Sequence, residues 1–245
     1  MTETLQRHLP LEGTHNFRDA GGYPTRNGGS VRWRTLFRSD SLHALTPAGQ
    51  QAFRELGIRS QVDVRAHAEA GPFPSVFAGD TGLAYNHLPL AIDEGKNIPR
   101  ANTLEELNVK LLDHAGHSIA RILALLAQPG AMPAVVNCVA GKDRTGLLVA
   151  LLLDLAGVDE TTIVDDYVLT GIHAKDLLAR ILELQATAFG RSRSEMAHLM
   201  EVRPEVMAGT LSYLHVQYSG AAAYMQRIGM RDETIADLRD ALVED

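Results

Sequence analysis

Val135-Val136-Asn137-Cys138-Val139-Ala140-Gly141-Lys142-Asp143-Arg144-Thr145-Gly146 is the stretch that decides the fold. It enters as a short buried strand, Ala134 to Val136. It leaves as a strongly apolar helix, Thr145 to about Ala156, closed by Gly157. Strand, loop and helix in that order belong to an open α/β sheet, which binds ligands outside the carboxyl ends of its strands. The chain's one cysteine, Cys138, stands at the strand end, and six positions later Arg144 stands at the start of the helix. Such a span curls the backbone into a cradle for a tetrahedral dianion, with the N–H groups of Val139 to Arg144 pointing inward. Gly141 turns the chain where a side chain would crowd it. The planar fork of Arg144 grips two phosphate oxygens. A thiol at a helix N-terminus beside a cation ionises readily, and a thiolate next to a bound phosphoryl group is a nucleophile. The bland alternative is a core cysteine at a strand end, the common fate of a lone cysteine. Gly141, Arg144 and the strand–loop–helix setting together outweigh it.

Outward from this loop, the pattern predicts alternating elements. The first 30 residues read as an irregular, glycine-rich arm. Residues 31–37 read as a strand. Thr46 caps a helix with Pro47 at its first position and Gly57 past its end. Ile58 to Val64 and Leu83 to Leu90 read as strands. Thr103 and Glu106 form a capping box for a long helix reaching Leu126, which Gly116 can interrupt and Pro129-Gly130 stops. No strand is expected after Gly157. Residues 159–245 read as helices broken at Gly190, Pro204, Gly220 and Gly229, with Ile235, Leu238 and Leu242 marking one helical face. The expectation is a single α/β domain over 1–245. It has a central, mostly parallel sheet, helices on both faces and a helical C-terminal part.

Composition narrows the function. With 23 basic against 30 acidic residues the net charge is −7, which argues against a nucleic-acid binder held by bulk charge. The longest apolar run, Leu147 to Leu153, is too short to span a membrane. The N-terminal residues lack the apolar core of a secretory signal, so a cytoplasmic protein is expected. One cysteine allows neither an internal disulfide nor a cysteine-based zinc cluster. Val136 stands where a Walker A loop needs glycine, and Asp143 where it needs serine or threonine, so Gly141-Lys142 is not an ATP signature. His114 and His117 could share a helix face as a metal pair, but with no third ligand in view they read as ordinary helix histidines. Arg32, Trp33 and Arg34 read as a half-buried strand rather than a base-stacking strip.

Cys138 and Arg144 with Thr145 behind them, in the string CVAGKDRTG, resemble the cysteine-dependent protein tyrosine phosphatases. More closely they resemble the bacterial tyrosine and phosphoinositide phosphatases with a GKDRTG loop. Asn16-Phe17-Arg18-Asp19, Gly21-Gly22-Tyr23, Leu36-Phe37-Arg38-Ser39-Asp40, Asp63-Val64-Arg65, Asp166-Tyr167 and the Tyr224 to Gly229 segment carry the likeness through nearly the whole chain. The resemblance implies a cysteinyl-phosphate intermediate on Cys138. Phosphate is held by Arg144 and by Val139, Ala140, Gly141, Lys142, Thr145 and Gly146, with Asp143 as general acid and base. The Thr145 hydroxyl donates to the departing thiolate. Asp63 is a second candidate acid, weighed against a structural ion pair with Arg65 or Arg38; Asp93 is a third. Lys142 is expected to face the mouth of the cradle, or else to be a solvated lysine at a loop tip. No metal or cofactor is implied. Residues 173–203, with Ser192 and Ser194 between Arg191 and Arg193, fall where the family carries a lid; plain helical packing is the alternative.

One departure stands out: the family has histidine before the nucleophile, and this chain has Asn137. Asparagine bonds backbone groups but cannot become cationic, so slower turnover is expected, not loss of activity. The substrate class implied is phosphotyrosine in protein first, and phosphoinositides or other small phosphate esters second. The rival is a pseudophosphatase that binds phosphorylated ligands, kept alive by Asn137. An arsenate or sulfur-transfer enzyme is a third reading, disfavoured by Arg144 and Thr145. The sequence is silent on oligomeric state.

Overall fold

A computed structural model describes residues 5–92 and 101–244. The first half carries β1 (Arg18–Asp19), β2 (Ser30–Val31), β3 (Leu36–Ser39), α1 (Pro47–Glu55), β4 (Ser60–Asp63), α2 (His67–Ala70) and β5 (Ala84–His87). There follow α3 (Leu104–His114), α4 (Gly116–Leu126), β6 (Ala134–Asn137) and α5 (Asp143–Ala156). The rest is α6 (Glu160–His173), α7 (Lys175–Phe189), α8 (Arg193–Met196), α9 (Pro204–Tyr218), α10 (Ala221–Arg227), α11 (Asp232–Leu242) and β7 (Val243–Glu244).

The main sheet has the order β1-β3-β6-β4-β5. Only β1 runs antiparallel; β3, β6, β4 and β5 are parallel. From β5 the chain returns through α3 and α4 and inserts β6 between β3 and β4. That reversal of strand order opens a crevice at the carboxyl ends. The register sets Ser39, Asn137 and Asp63 in one row along that edge. Whatever follows these residues is therefore brought together: Asp40, Cys138 and the turn that carries α2.

The period of two along the strands divides the core. Leu36, Val62, Ala134 and Val136 face the larger cluster, with Leu111, Ile119, Leu148 and Leu151 from α3, α4 and α5. Phe37 and Val135 face the other side, with Phe17, Phe77 and Phe53 of α1. Helices thus cover both faces, and the C-terminal part thickens one of them. Among the described residues no helix is long and apolar enough to cross a membrane.

Local signals held where backbone chemistry was explicit. Thr46 accepts the Gly49 amide, Pro47 opens α1, and Gly57 adopts a left-handed φ of 68° past its end. Other expectations need correction. Residues 31–37 are not one strand: Arg34 has φ 56°, and this left-handed turn separates β2 from β3. The long helix is two, because Ala115 leaves helical geometry and Gly116 packs tightly on Ile228. His114 and His117 consequently lie in different helices. Thr103 does accept the Glu106 amide, but Glu106 reaches back to the amide of Asn102, so the capping box is half made. There is a strand after Gly157: β7 pairs antiparallel with β2. Helix α5 begins at Asp143, two residues earlier than expected. Trp33 is half-buried, as expected, but in the turn; its ring lies where a side chain on Gly22 would go.

Candidate active site

Cys138 is buried at the end of the central strand β6. The loop behind it is held by three outside donors. The Ser41 amide bonds Val139 O at 3.1 Å. Asn16 Nδ2 donates to Ala140 O at 2.8 Å and to Gly141 O at 3.2 Å. Arg38 Nη2 donates to Gly141 O at 2.8 Å. In a trans peptide the N–H points opposite the C=O. Three consecutive carbonyls pinned outward therefore turn the amides of Ala140, Gly141 and Lys142 toward the cavity. Among the described residues the amides of Val139 to Arg144 have no acceptor. Gly141 is essential to the curl: its φ is 66°, and a Cβ there would collide with the Ser39 carbonyl.

Behind the loop lies a buried ionic cluster. Asp166 of α6 is bonded by Arg38 and, at 3.3 Å, by Arg18 Nε. Arg18 also reaches Thr170 at 3.0 Å and bonds Asn16 Oδ1, which fixes the orientation of the Asn16 amide. Tyr23 OH donates to Asp166 at 3.0 Å. Burial alone would raise the Asp166 pKa, but the charges and hydrogen bonds of Arg18 and Arg38 hold it at about 2. Two guanidinium groups against one carboxylate leave a net positive charge directly behind the phosphate cradle.

Arg144 points its fork at Glu69 of α2, with Nη1 to Oε2 at 2.6 Å and Nη2 to Oε1 at 2.8 Å. Burial opposes the Arg144 charge, but Glu69, Cys138 and Asp143 outweigh burial and hold the guanidinium above its ordinary range. Glu69 is itself anchored, since its Oε2 accepts the Ala66 amide at 2.6 Å. Burial favours its neutral form, yet Arg144 and that amide keep its pKa below the usual carboxylate range. Glu69 binds through the two Nη atoms, so Nε of Arg144 has no partner among the described residues.

The expected site residues are placed as follows. Asp143 opens α5, is partly exposed and lines the cavity above Cys138. Its Oδ1 lies 3.2 Å from Lys142 Nζ and accepts no hydrogen bond among the described residues. Lys142 is buried, and its ammonium donates to the carbonyls of Leu199 at 2.9 Å and Glu201 at 3.3 Å, so it ties the loop to the segment above it. Thr145 Oγ1 is buried without a hydrogen-bond partner among the described residues. Gly146 packs against the Tyr167 ring. Asp63 is spent on Arg65, with contacts of 2.6–3.2 Å, and on Tyr85 and Asn137. Its carboxylate is therefore the structural ion pair weighed above. Asn137 bridges Asp63 at 3.3 Å and Gln61 Nε2 at 2.8 Å. Asp93 lies outside the described residues. Among those described, no group of three metal-ligating side chains occurs.

The cavity over Cys138 holds about 110 Å³, walled by the loop, Glu69 and Arg144 below and by Leu178, Ile181 and Met200 above. Ala140 packs with Ala174, Leu178 and Met200, so residues 174–202 sit on the loop. Ser192 and Glu195 cap α8 reciprocally, and Arg193 pairs with Glu183 at 3.3 Å. The serines and the arginine are engaged locally.

A model of the family described as "Tyrosine phosphatase family" matches residues 9–244. The chain belongs to the tyrosine phosphatase family. A tyrosine-protein phosphatase of Nostoc commune is 30% identical over 213 residues, covering 82% of this chain and 72% of that protein. The triple specificity protein phosphatase PtpB of Mycobacterium tuberculosis is 27% identical over 281 aligned positions, covering 97% of this chain and 99% of that one. Among solved structures, the Siw14 catalytic core is 18% identical with a TM-score of 0.43, covering 66% of this chain and 79% of that one. Family membership explains why Asn16, Arg18, Arg38 and Asp166 stand in recognisable strings: they build the back of the loop. Glu69 carried no sequence signal beyond its place six residues after Asp63.

Proposed function

We propose that this tyrosine phosphatase hydrolyses phosphomonoesters through a cysteinyl-phosphate, with phosphotyrosine as the principal substrate type. The observation that carries the reading is the row of unpaired amides from Val139 to Arg144 curled behind Cys138, with three of its carbonyls tied away. Such preorganised donors stabilise the charge that spreads over the equatorial oxygens during phosphoryl transfer. Arg144 contributes its free Nε edge. The Cys138 thiolate forms the S–P bond while the P–O bond to the leaving group breaks, and Asp143 gives that oxygen its proton. In the second step Asp143 takes a proton from water, the water oxygen bonds phosphorus, and the S–P bond breaks to release phosphate. The unspent Thr145 hydroxyl donates to the returning thiolate. Residues 173–203 act as the lid over this chemistry, latched by Lys142, and the whole of 1–245 works as one domain.

Hydrolysis of para-nitrophenyl phosphate with EDTA present, wild type beside Cys138→Ser, tests the reading. The expected result is metal-independent turnover that falls to background in the variant. A wild type that binds phosphotyrosine without turnover marks Asn137 as the sign of a binding protein, and the mechanism fails.

A further inference from the structure

A cavity of about 110 Å³ over Cys138 holds a phosphoryl group and little else, so the organic half of any substrate must lie outside it. One route is built. A groove of about 500 Å³ adjoins the cavity and shares Glu69, Val139, Ile181 and Gln185 with it. Its large apolar side chains come from two elements, and His15, Asp40, His43 and Arg65 complete the wall. The turn after α2 contributes Phe73, and α7 contributes Leu177, Ile181 and Leu184.

Two of these apolar side chains are left open to water: Phe73 is 57% exposed and Leu184 is 71% exposed. Single exposed apolar residues need no explanation, but two lining one groove beside a reaction centre do. Phe73 is not loosely held. Arg65 Nη1 donates to its carbonyl at 2.8 Å, and its ring meets the His43 ring edge-on at 5.3 Å. Burial and the nearby Arg65 push the His43 pKa below its ordinary value, which favours the uncharged ring.

Several of the polar groups that border the groove are already committed; among the described residues Gln185 and the open edges of Arg180 and His43 are the exceptions. Asp40 accepts the amides of His15 and Asn16. Arg180 donates to His15 Nε2 at 2.6 Å. The remaining N–H groups of Arg65 go to Asp63. His43 Nδ1 is bonded to the Ser41 hydroxyl at 2.9 Å. A ring bearing many hydroxyls would lose its water here and gain few partners, whereas an apolar ring loses nothing.

We propose that this groove receives the organic half of the substrate and selects aryl and alkyl phosphate monoesters over polyol phosphates. Phe73 and Leu184 are the specificity-determining residues. The inference rests on the phosphatase reading and narrows it, setting inositol phosphates outside the preferred substrates.

Cyclohexyl phosphate and inositol 1-phosphate are suitable probes, because both lose a secondary ring alcohol and differ in the remaining hydroxyls. The comparison is kcat/KM for each, in the wild type, in Phe73→Ala/Leu184→Ala and in Phe73→Leu. The wild type should favour cyclohexyl phosphate by roughly ten-fold or more, the scale of one buried apolar side chain. The double variant should lose most of that ratio, and Phe73→Leu should keep most of it. Thermal melting of each variant confirms that it is folded. Equal use of the two esters, preference for the inositol ester, or a ratio untouched in the double variant overturns the proposal. So does a wild-type dimer that the double variant makes monomeric with the ratio unchanged, since the rim is then a contact between copies. A wild type inactive on both esters and on para-nitrophenyl phosphate is a different failure: the phosphatase reading falls, and this inference with it.

Discussion

Arg38 shows most clearly how one residue governs the site from behind. Its guanidinium spends one edge on Asp166 and another on the Gly141 carbonyl. Removing it leaves that carbonyl to the longer Asn16 bond and leaves Asp166 to Arg18 and Tyr23. Arg38→Met is therefore expected to slow both turnover and the alkylation of Cys138 by iodoacetamide at neutral pH. Breaking a buried pair of this kind costs about 3–5 kcal/mol, so the variant is also less stable. Arg38→Lys keeps the charge without the fork and should restore part of the alkylation rate. Stopped alkylation assays on the folded variants check this; a full alkylation rate in Arg38→Met contradicts a positioning role. The sequence announced the front of the site more openly than its back. Cys138, Asp143 and Arg144 lie within seven positions, so their spacing alone describes a cradle. Asn16 meets Ala140 across 124 positions and Arg38 meets Asp166 across 128, contacts that no local pattern encodes. Glu69 was hidden for the same reason: it reaches Arg144 across 75 positions from a four-residue helix.

At the scale of elements, α6 is riveted to the sheet through Asp166. Its pKa is held at about 2 in the fold against 3.8 ordinarily. A depressed carboxylate adds stability that is complete above its unfolded pKa and is lost as pH falls through the folded one. The window is thus pH 4 down to pH 2, and the contribution is on the order of 2 kcal/mol. Asp166→Asn should flatten the acid limb of the stability curve in that window, while lowering stability at neutral pH. Urea unfolding at pH 7, 4 and 3 measures it, and an acid limb identical to that of the wild type contradicts the assignment. Helices were legible when their chemistry was local, as with Thr46-Pro47 in α1 and the apolar run of α5. Elements made by distant pairing were not. The two-residue β7 exists because β2 is there to receive it, and Arg34 broke a run that periodicity joined.

For the whole molecule, the sheet explains why the chemistry sits at one edge. Inserting β6 between β3 and β4 brings three carboxyl ends into one row. That row delivers Asp40 and its neighbours, Cys138, and the α2 turn with Glu69, from parts of the chain far apart in sequence. The fold class and the phosphate loop were readable from one strand–loop–helix unit. The groove was not, because it depends on where α7 comes to rest against that edge. In the proposed mechanism all of this serves a covalent step at Cys138. Acid-quenching the enzyme during turnover of an aryl phosphate, then measuring the Cys138 peptide by mass spectrometry, tests it directly. The expected result is a peptide heavier by one phosphoryl group, absent in Cys138→Ser and accumulated in a variant slow in the second step. An unmodified Cys138 peptide throughout steady turnover contradicts it.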